Sequence, residues 1–388
     1  MGKLKGLSKL RILHVSNLVS HHQMPLARRL AHLVGENNFK FCATQAPDTE
    51  RTRMGWSNDN VEPWILRAGE SEADRLIFEK WWDEADIVIC GERRFSRISD
   101  RLARGKICFY MSERWWKPPV GVARLLSPSF ACLAREFNRL TKNPAFHYLP
   151  IGPFAATDIK LIARFEDRIW NWGYFTEQST SKVDKSLDDT SLKILWAGRM
   201  LPWKHVDTLI KALAELKRHH QAFKLTLIGD GSERLKLEKL AREHLNSTQF
   251  SFHPPLPAKK IPEIMAKNNI YVLPSSAYEG WGAVVNEAMD VGCAVVASSA
   301  AGAAAAIIKD GENGFLFKPG DWQELSKILL KLAKNNEITK NISHSGQKTI
   351  TELWSPNIAA ERFLAVSNAL ISSSTLPMYS KGPMSKAI

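Results

Sequence analysis

Short apolar runs punctuate this chain, and helical stretches separate them. Residues 10–16, 39–44, 87–90, 107–111 and 130–133 read as buried parallel strands. A strand covered on both faces is continuously apolar rather than alternating. Between the first two, Pro25 suits a helix start, and Leu26, Leu30, Ala31 and Val34 give one apolar face up to about Gly35. Strand, helix, strand at this spacing predicts a doubly wound parallel sheet. After an aromatic cluster (Trp170, Trp172, Tyr174, Phe175), the polar stretch 177–190 reads as a linker. The pattern then restarts. Strands are expected at 192–197, 223–228, 250–252 and 270–273, and helices at 206–217 and 232–244. An Ala-rich helix, a turn through Asp310-Gly311 and Asn313-Gly314 and a short strand follow. Asp321 caps a helix to about Leu332, and Ser355 opens an amphipathic helix to Ile371. The expectation is α/β, with two Rossmann-like domains, each a doubly wound parallel sheet. They would be residues 1–180 and 181–354, followed by a helix at 355–372 and a polar tail at 373–388.

A length of 388 residues suits two domains, and 44% apolar with 24% charged residues suits globular cores. No run of eighteen apolar residues predicts a membrane span, and the start, Met1 to Gly6, lacks the apolar core of a signal peptide. Cys42, Cys90, Cys108, Cys132 and Cys293 form no Cys-x-x-Cys pair, so buried thiols in a reducing, cytoplasmic setting are expected. The net charge is +13. Residues 1–40 carry seven Lys/Arg against one acid, and residues 101–140 eight against two. Such a basic first half implies an anionic partner: a phospholipid surface, a lipid-linked phosphate or nucleic acid. Nucleic acid is not expected, because no helix-turn-helix, zinc or aromatic-strand motif is present.

The chemistry concentrates in the second half. Ala277 to Glu287 reads Ala-Tyr-Glu-Gly-Trp-Gly-Ala-Val-Val-Asn-Glu. Glu279 falls in a strand-to-helix loop, Gly280, Trp281 and Gly282 open the helix, and Glu287 lies about two turns along. A glycine-rich helix start exposes unpaired N–H groups to a phosphate or a sugar hydroxyl, and a nearby carboxylate can grip sugar hydroxyls. After the strand at 192–197 come Gly198, Arg199 and Lys204. Arg199 offers a planar fork for two phosphate oxygens and Lys204 a compact point charge. Gly229-Asp230-Gly231 is not a dinucleotide fingerprint, since Arg234 stands where its third glycine would be. In the first half, Asn17, His21 and His22 follow the first strand, where open sheets bind ligands, although this loop could equally cap a helix. Glu113 reads as a site acid, a salt bridge to Arg114 or a helix start. Trp115 and Trp116, with Arg114, Lys117 and Arg124, could form an interfacial patch, stack on a sugar ring or belong to the core.

The Gly198-Arg199…Lys204 loop and the Glu279…Glu287 stretch resemble retaining glycosyltransferases of family 4, with the GT-B fold, which implies two domains facing across a cleft and the helix 355–372 crossing back onto the first. The resemblance covers residues 192–335. It implies transfer of a sugar from a UDP- or GDP-linked donor to a hydroxyl of a saccharide or lipid-linked acceptor, with retention, as in cell-surface polysaccharide or glycolipid assembly. It gives Arg199 and Lys204 the diphosphate, Glu279 the donor sugar, Glu287 the ribose, and the loop past Gly229, His253 and Leu256 the nucleobase. No cofactor or metal is expected, because cations hold the leaving group and no Asp-x-Asp motif lies beside the donor site. The acceptor falls to the basic first domain, with Asn17, His21, His22, Glu113 and Trp115 as candidates and peripheral contact with an anionic membrane expected. His205 departs from the glycine usual after the lysine. Alternatives are a GT-B nucleotide-sugar epimerase or hydrolase and a non-catalytic sugar-binding scaffold.

Overall fold

The structure is a computed structural model, and it describes residues 10–46, 61–117, 123, 126–179 and 191–387. Met1 to Gly6, Pro118, Pro119, Arg124 and most of the expected linker, 180–190, lie outside the described residues. The chain divides into two compact units, Met1–Thr176 with Ser355–Ile388, and Glu177–Trp354.

In the first unit, strands β1 (Ile12–Ser16), β2 (Phe39–Ala43), β3 (Ile65–Arg67), β4 (Ile87–Cys90), β5 (Ile107–Ser112) and β6 (Phe146–Pro150) form one parallel sheet in the order β3-β2-β1-β4-β5-β6. Helices α1 (Met24–Val34), α2 (Glu72–Glu84), α3 (Phe95–Ala103), α4 (Pro128–Leu140) and α5 (Pro153–Ile162) connect them. Residues 130–133, expected as a strand, lie within α4. There Phe130, Leu133, Phe137 and Leu140 are buried at helical spacing behind a Ser127 cap. Cys132 on the outer face of α4 is exposed, whereas the other four cysteines are buried thiols as expected.

Register places Phe41, His14, Ile89, Phe109 and His147 in one row across this sheet. The last helix, Pro356–Ile371, packs on that row, with Phe363 at 5.0 Å from Phe109. The final residues are more than a polar tail. Met384 is fully buried, and Lys386 pairs antiparallel with Trp170 and sets its ammonium 3.7 Å from that ring. Arg101 is also fully buried, its guanidinium donating to the carbonyls of Trp82, Ala85 and Ile107 at 2.6–3.1 Å. It thereby satisfies the carboxyl end of α2, although burial lowers its pKa to about 10.

Several arginines of this unit are held in ion pairs, while its excess of Lys and Arg over acids remains. Arg11 pairs with Glu84, Arg28 with Glu62, Arg29 with Glu361, Arg104 with Asp83 and Arg139 with Glu136. Among the described residues, no helix is long and apolar enough to cross a membrane.

The second unit repeats the plan. Strands β7 (Leu192–Ala197), β8 (Phe223–Ile228), β9 (Phe250–His253), β10 (Ile270–Leu273), β11 (Ala294–Ser298) and β12 (Phe315–Phe317) run parallel in the order β12-β11-β10-β7-β8-β9. Helices α6 (Val206–Arg218), α7 (Arg234–His244), α8 (Ile261–Met265), α9 (Val284–Asp290), α10 (Gly302–Ile307), α11 (Trp322–Lys334) and α12 (Asn336–Glu352) complete it. Pro356–Ile371 is then α13. In each sheet the strand order reverses once, at β1/β4 and at β10/β7. Open parallel sheets bind ligands at the carboxyl ends of the strands flanking such a reversal.

Candidate active site

In the second unit, the loops after β7 and β10 meet at this reversal. β7 feeds a loop through Gly198 and Arg199 into a 3-10 turn, Pro202–Lys204. β10 feeds the loop that carries Glu279. The Ser276 N–H donates to the Trp203 carbonyl at 2.9 Å, stitching the loops together. Lys204 Nζ then lies 2.5 Å from Glu279 Oε2, with the side chains only 15% and 12% exposed. The ammonium also stands 4.4 Å over the Trp203 ring. Gly282 helps set the acid: its φ is +83°, and a Cβ there would press Leu273 at 3.0 Å and Glu279 Cγ at 3.3 Å. Below the pair, the buried Tyr271 hydroxyl donates to the Ala197 carbonyl. Burial first, then the charges of Glu287 and Glu279, raise the pKa of that phenol, so both acids lie near one buried anchor.

Arg199 is exposed on a loop held from behind. The Met200 N–H donates to the Asp230 carbonyl at 2.8 Å, and the Glu233 N–H to the Met200 carbonyl at 3.0 Å. At Gly229 a Cβ would fall 1.8 Å from the Gly198 carbonyl oxygen, so only glycine lets these two loops touch. The Gly229 N–H donates to the His253 carbonyl at 3.1 Å. Arg234, the residue that breaks the dinucleotide fingerprint, has a structural task that the sequence did not reveal. Its guanidinium donates to the carbonyls of Gly229 at 2.7 Å and His253 at 3.1 Å, clamping the ends of β8 and β9 together. His253 itself is exposed with Nε2 at 3.0 Å from Ser251 Oγ, and Leu256 is half-buried.

The Trp281 side chain is 2% exposed and turned into the core, packing on Trp354 while its indole N–H bonds Asn286. Only its main chain is left to serve a ligand. His205 has φ +48° and ψ +39°, a left-handed backbone conformation that favours glycine.

The first unit holds a cavity of about 680 Å³ at the carboxyl ends of its strands. Asn17 and Glu113 line it, and Glu113 pairs with Lys117 at 3.1 Å. Gln23, Thr44 and Gln45 add polar lining, as do Glu92, Arg93 and Arg94 directly after β4. Glu92 accepts from Thr44 Oγ1 and from Arg94 at 2.7 Å. Sequence reasoning passed over these residues, although a charged run right after a central strand was the available signal. The His21 and His22 rings meet at 3.8 Å, tilted by 51°, outside the lining, and His22 stacks at 6.1 Å on the Tyr174 ring. Trp115 is not an open stacking platform. Its indole N–H donates to the Tyr148 hydroxyl at 3.0 Å, and its ring lies edge-on to Phe137. Trp116 is buried against Phe130.

Two doubly wound units of six parallel strands each make the GT-B architecture of glycosyltransferases. Solved neighbours share it across both units. Anabaena HepE in complex with UDP superposes with TM-score 0.67 at 19% identity, over 94% of this chain and 100% of that one. A glycosyltransferase from Rickettsia africae gives TM-score 0.67 at 16% identity, over 94% and 100%. Residues 177–349, nearly the whole second unit, match the family Glycosyl transferases group 1. An uncharacterised glycosyltransferase of Methanocaldococcus jannaschii is 32% identical over 164 residues, 42% of this chain and 41% of that protein. The alpha-D-kanosaminyltransferase of Streptomyces kanamyceticus is 28% identical over 185 residues, 46% of each. The chain thus spans about half the length of the curated relatives it matches.

Proposed function

We propose that this protein transfers a sugar from a nucleotide sugar to an acceptor hydroxyl with retention at the anomeric carbon, in polysaccharide or glycolipid assembly. The observation that carries the reading is the shielded Lys204–Glu279 pair, seated beside the Arg199 loop at the sheet reversal. As the bond from the anomeric carbon to the diphosphate oxygen breaks, negative charge grows on the leaving group. Arg199, Lys204 and the N–H groups of Gly280 to Gly282 meet that charge in place of a divalent ion. The acceptor oxygen bonds to the same face of the sugar, and its proton passes to the departing phosphate. Glu279 holds the donor sugar hydroxyls and Glu287 the ribose. The acceptor binds to the first unit. UDP in the Anabaena neighbour supports a nucleotide donor. The poly(ribitol-phosphate) N-acetylglucosaminyltransferase and the phosphatidylinositol monomannoside mannosyltransferase among the relatives support saccharide and glycolipid acceptors.

A panel of UDP-, GDP- and ADP-sugars, with and without saccharide and lipid-linked acceptors, tests this. Acceptor-dependent release of nucleoside diphosphate that survives EDTA is expected. Acceptor-independent release would point to a hydrolase or epimerase instead, and absence of nucleotide binding would leave a scaffold. Sedimentation with anionic vesicles tests peripheral membrane contact.

A further inference from the structure

The cavity of the first unit has a charge pattern that goes beyond a generic acceptor pocket. It is lined by two carboxylates and two guanidiniums. Glu92 is held by Arg94 at 2.7 Å, and its side chain is only 15% exposed. Glu113 is neutralised by Lys117 at 3.1 Å. Arg93 is left as the lining cation with no carboxylate within ion-pair distance among the described residues. Its guanidinium stands 5.9 Å over the Trp115 ring, and that indole is locked by its bond to Tyr148. A guanidinium fork at cation–π distance from a fixed aromatic ring suits a two-oxygen anion.

The rest of the lining narrows the ligand further. Asn17, Gln23, Gln45 and Ser112 offer side chains that both donate and accept, as sugar hydroxyls require. Aliphatic lining is limited to Met111 and Ile151, too little to seat an acyl chain or a hydrophobic aglycone. We infer that this cavity takes a saccharide bearing a carboxylate or phosphate, with Arg93 reading the charge and the amides and Ser112 reading the hydroxyls. The inference deepens the glycosyl-transfer reading, and rests on it in treating the first unit as the acceptor side.

The test uses the full chain and four probes: glucose, glucuronate, glucose 6-phosphate and inorganic phosphate, titrated at low and high salt. Wild-type protein should bind at least one charged sugar about tenfold tighter than glucose, with the margin shrinking as salt rises. Preference for glucuronate alone assigns a carboxylate, preference for the phosphate ester alone assigns a phosphate, and both assign either. Arg93→Met should bring the charged sugars down to the glucose value while leaving glucose binding and thermal unfolding unchanged. The inference is overturned if glucose binds as well as the charged sugars, if Arg93→Met keeps the preference, or if inorganic phosphate matches the sugar phosphate. Nucleotide binding in the same samples reports separately on the glycosyl-transfer reading, and should be equal in wild type and Arg93→Met.

Discussion

Replacing Lys204 with methionine separates a catalytic cation from a structural one. The pair it breaks is short, at 2.5 Å, and mostly shielded, at 15% and 12% exposure. Breaking an exposed pair costs up to about 1 kcal/mol and breaking a fully buried one about 3–5 kcal/mol, so this substitution should destabilise the second unit by about 2 kcal/mol. The cation–π contact with Trp203 lies within that figure. The rate effect should be larger. If the ammonium meets charge that develops on the leaving diphosphate, its loss lowers turnover by roughly 10²–10³.

The second arm is the double variant Lys204→Met with Glu279→Gln, which removes the stranded acid. Stability should recover most of the lost 2 kcal/mol, because no half-buried carboxylate is left alone. Turnover should stay at the level of the single variant or below it. The assay is steady-state release of nucleoside diphosphate beside urea unfolding of the same preparations. Recovery of turnover together with stability would mean that the pair is only a brace between two loops. Undiminished turnover in Lys204→Met alone would remove Lys204 from the chemistry altogether.

Three further outcomes follow from the structure. His205→Gly relieves a left-handed side-chain position and should stabilise the second unit by about 1 kcal/mol on urea unfolding; a loss would mean that the ring makes a compensating contact. Arg234→Met releases the carbonyls of Gly229 and His253, so the donor KM should rise about tenfold with kcat nearly unchanged; an equal fall in kcat would place Arg234 in the chemistry instead. His14 is fully buried with neither ring nitrogen hydrogen-bonded, and burial lowers its pKa from 6.5 to about 3. The fold therefore holds the neutral ring, and the stability it contributes is complete above pH 6.5 and is lost as pH falls towards 3. At pH 5 the loss is about 2 kcal/mol, so urea unfolding at pH 7 and pH 5 should differ by that much more in wild type than in His14→Leu.

Which features could be read from the sequence follows from how burial writes itself into it. β4 and β10 are continuously apolar, and β1, β7 and β8 are apolar at most positions, because helices cover both faces of their sheets, and their positions were legible. Residues 130–133 misled because four apolar residues fit a strand and a helix equally; only the longer spacing to Phe137 and Leu140 decides. β6, with His147 and Pro150 inside it, and three-residue β3 carried too weak a pattern. α12 was missed because its buried stripe is just Thr339, Ile342, Gly346 and Ile350.

The two candidate sites differ in legibility for a physical reason. In the second unit, the chemistry is local to two loops whose glycines are forced by contact, so Lys204 and Glu279 stood out in the sequence and the fold joins them. Within the same motif the Trp281 main chain and side chain part company: the backbone stays in the loop while the ring goes to the core. In the first unit, Glu92 and Arg93 read as an ordinary solvated turn. Their importance comes from β4 lying beside β1, a neighbour relation between strands more than seventy residues apart that no local pattern encodes. Because the sheet order reverses between those two strands, the loop after β4 opens onto the ligand end of the sheet, as the loop after β10 does in the other unit. A site search in a doubly wound chain therefore gains most from finding the strand order first, and only then weighing the charged residues that follow the strands on either side of the reversal.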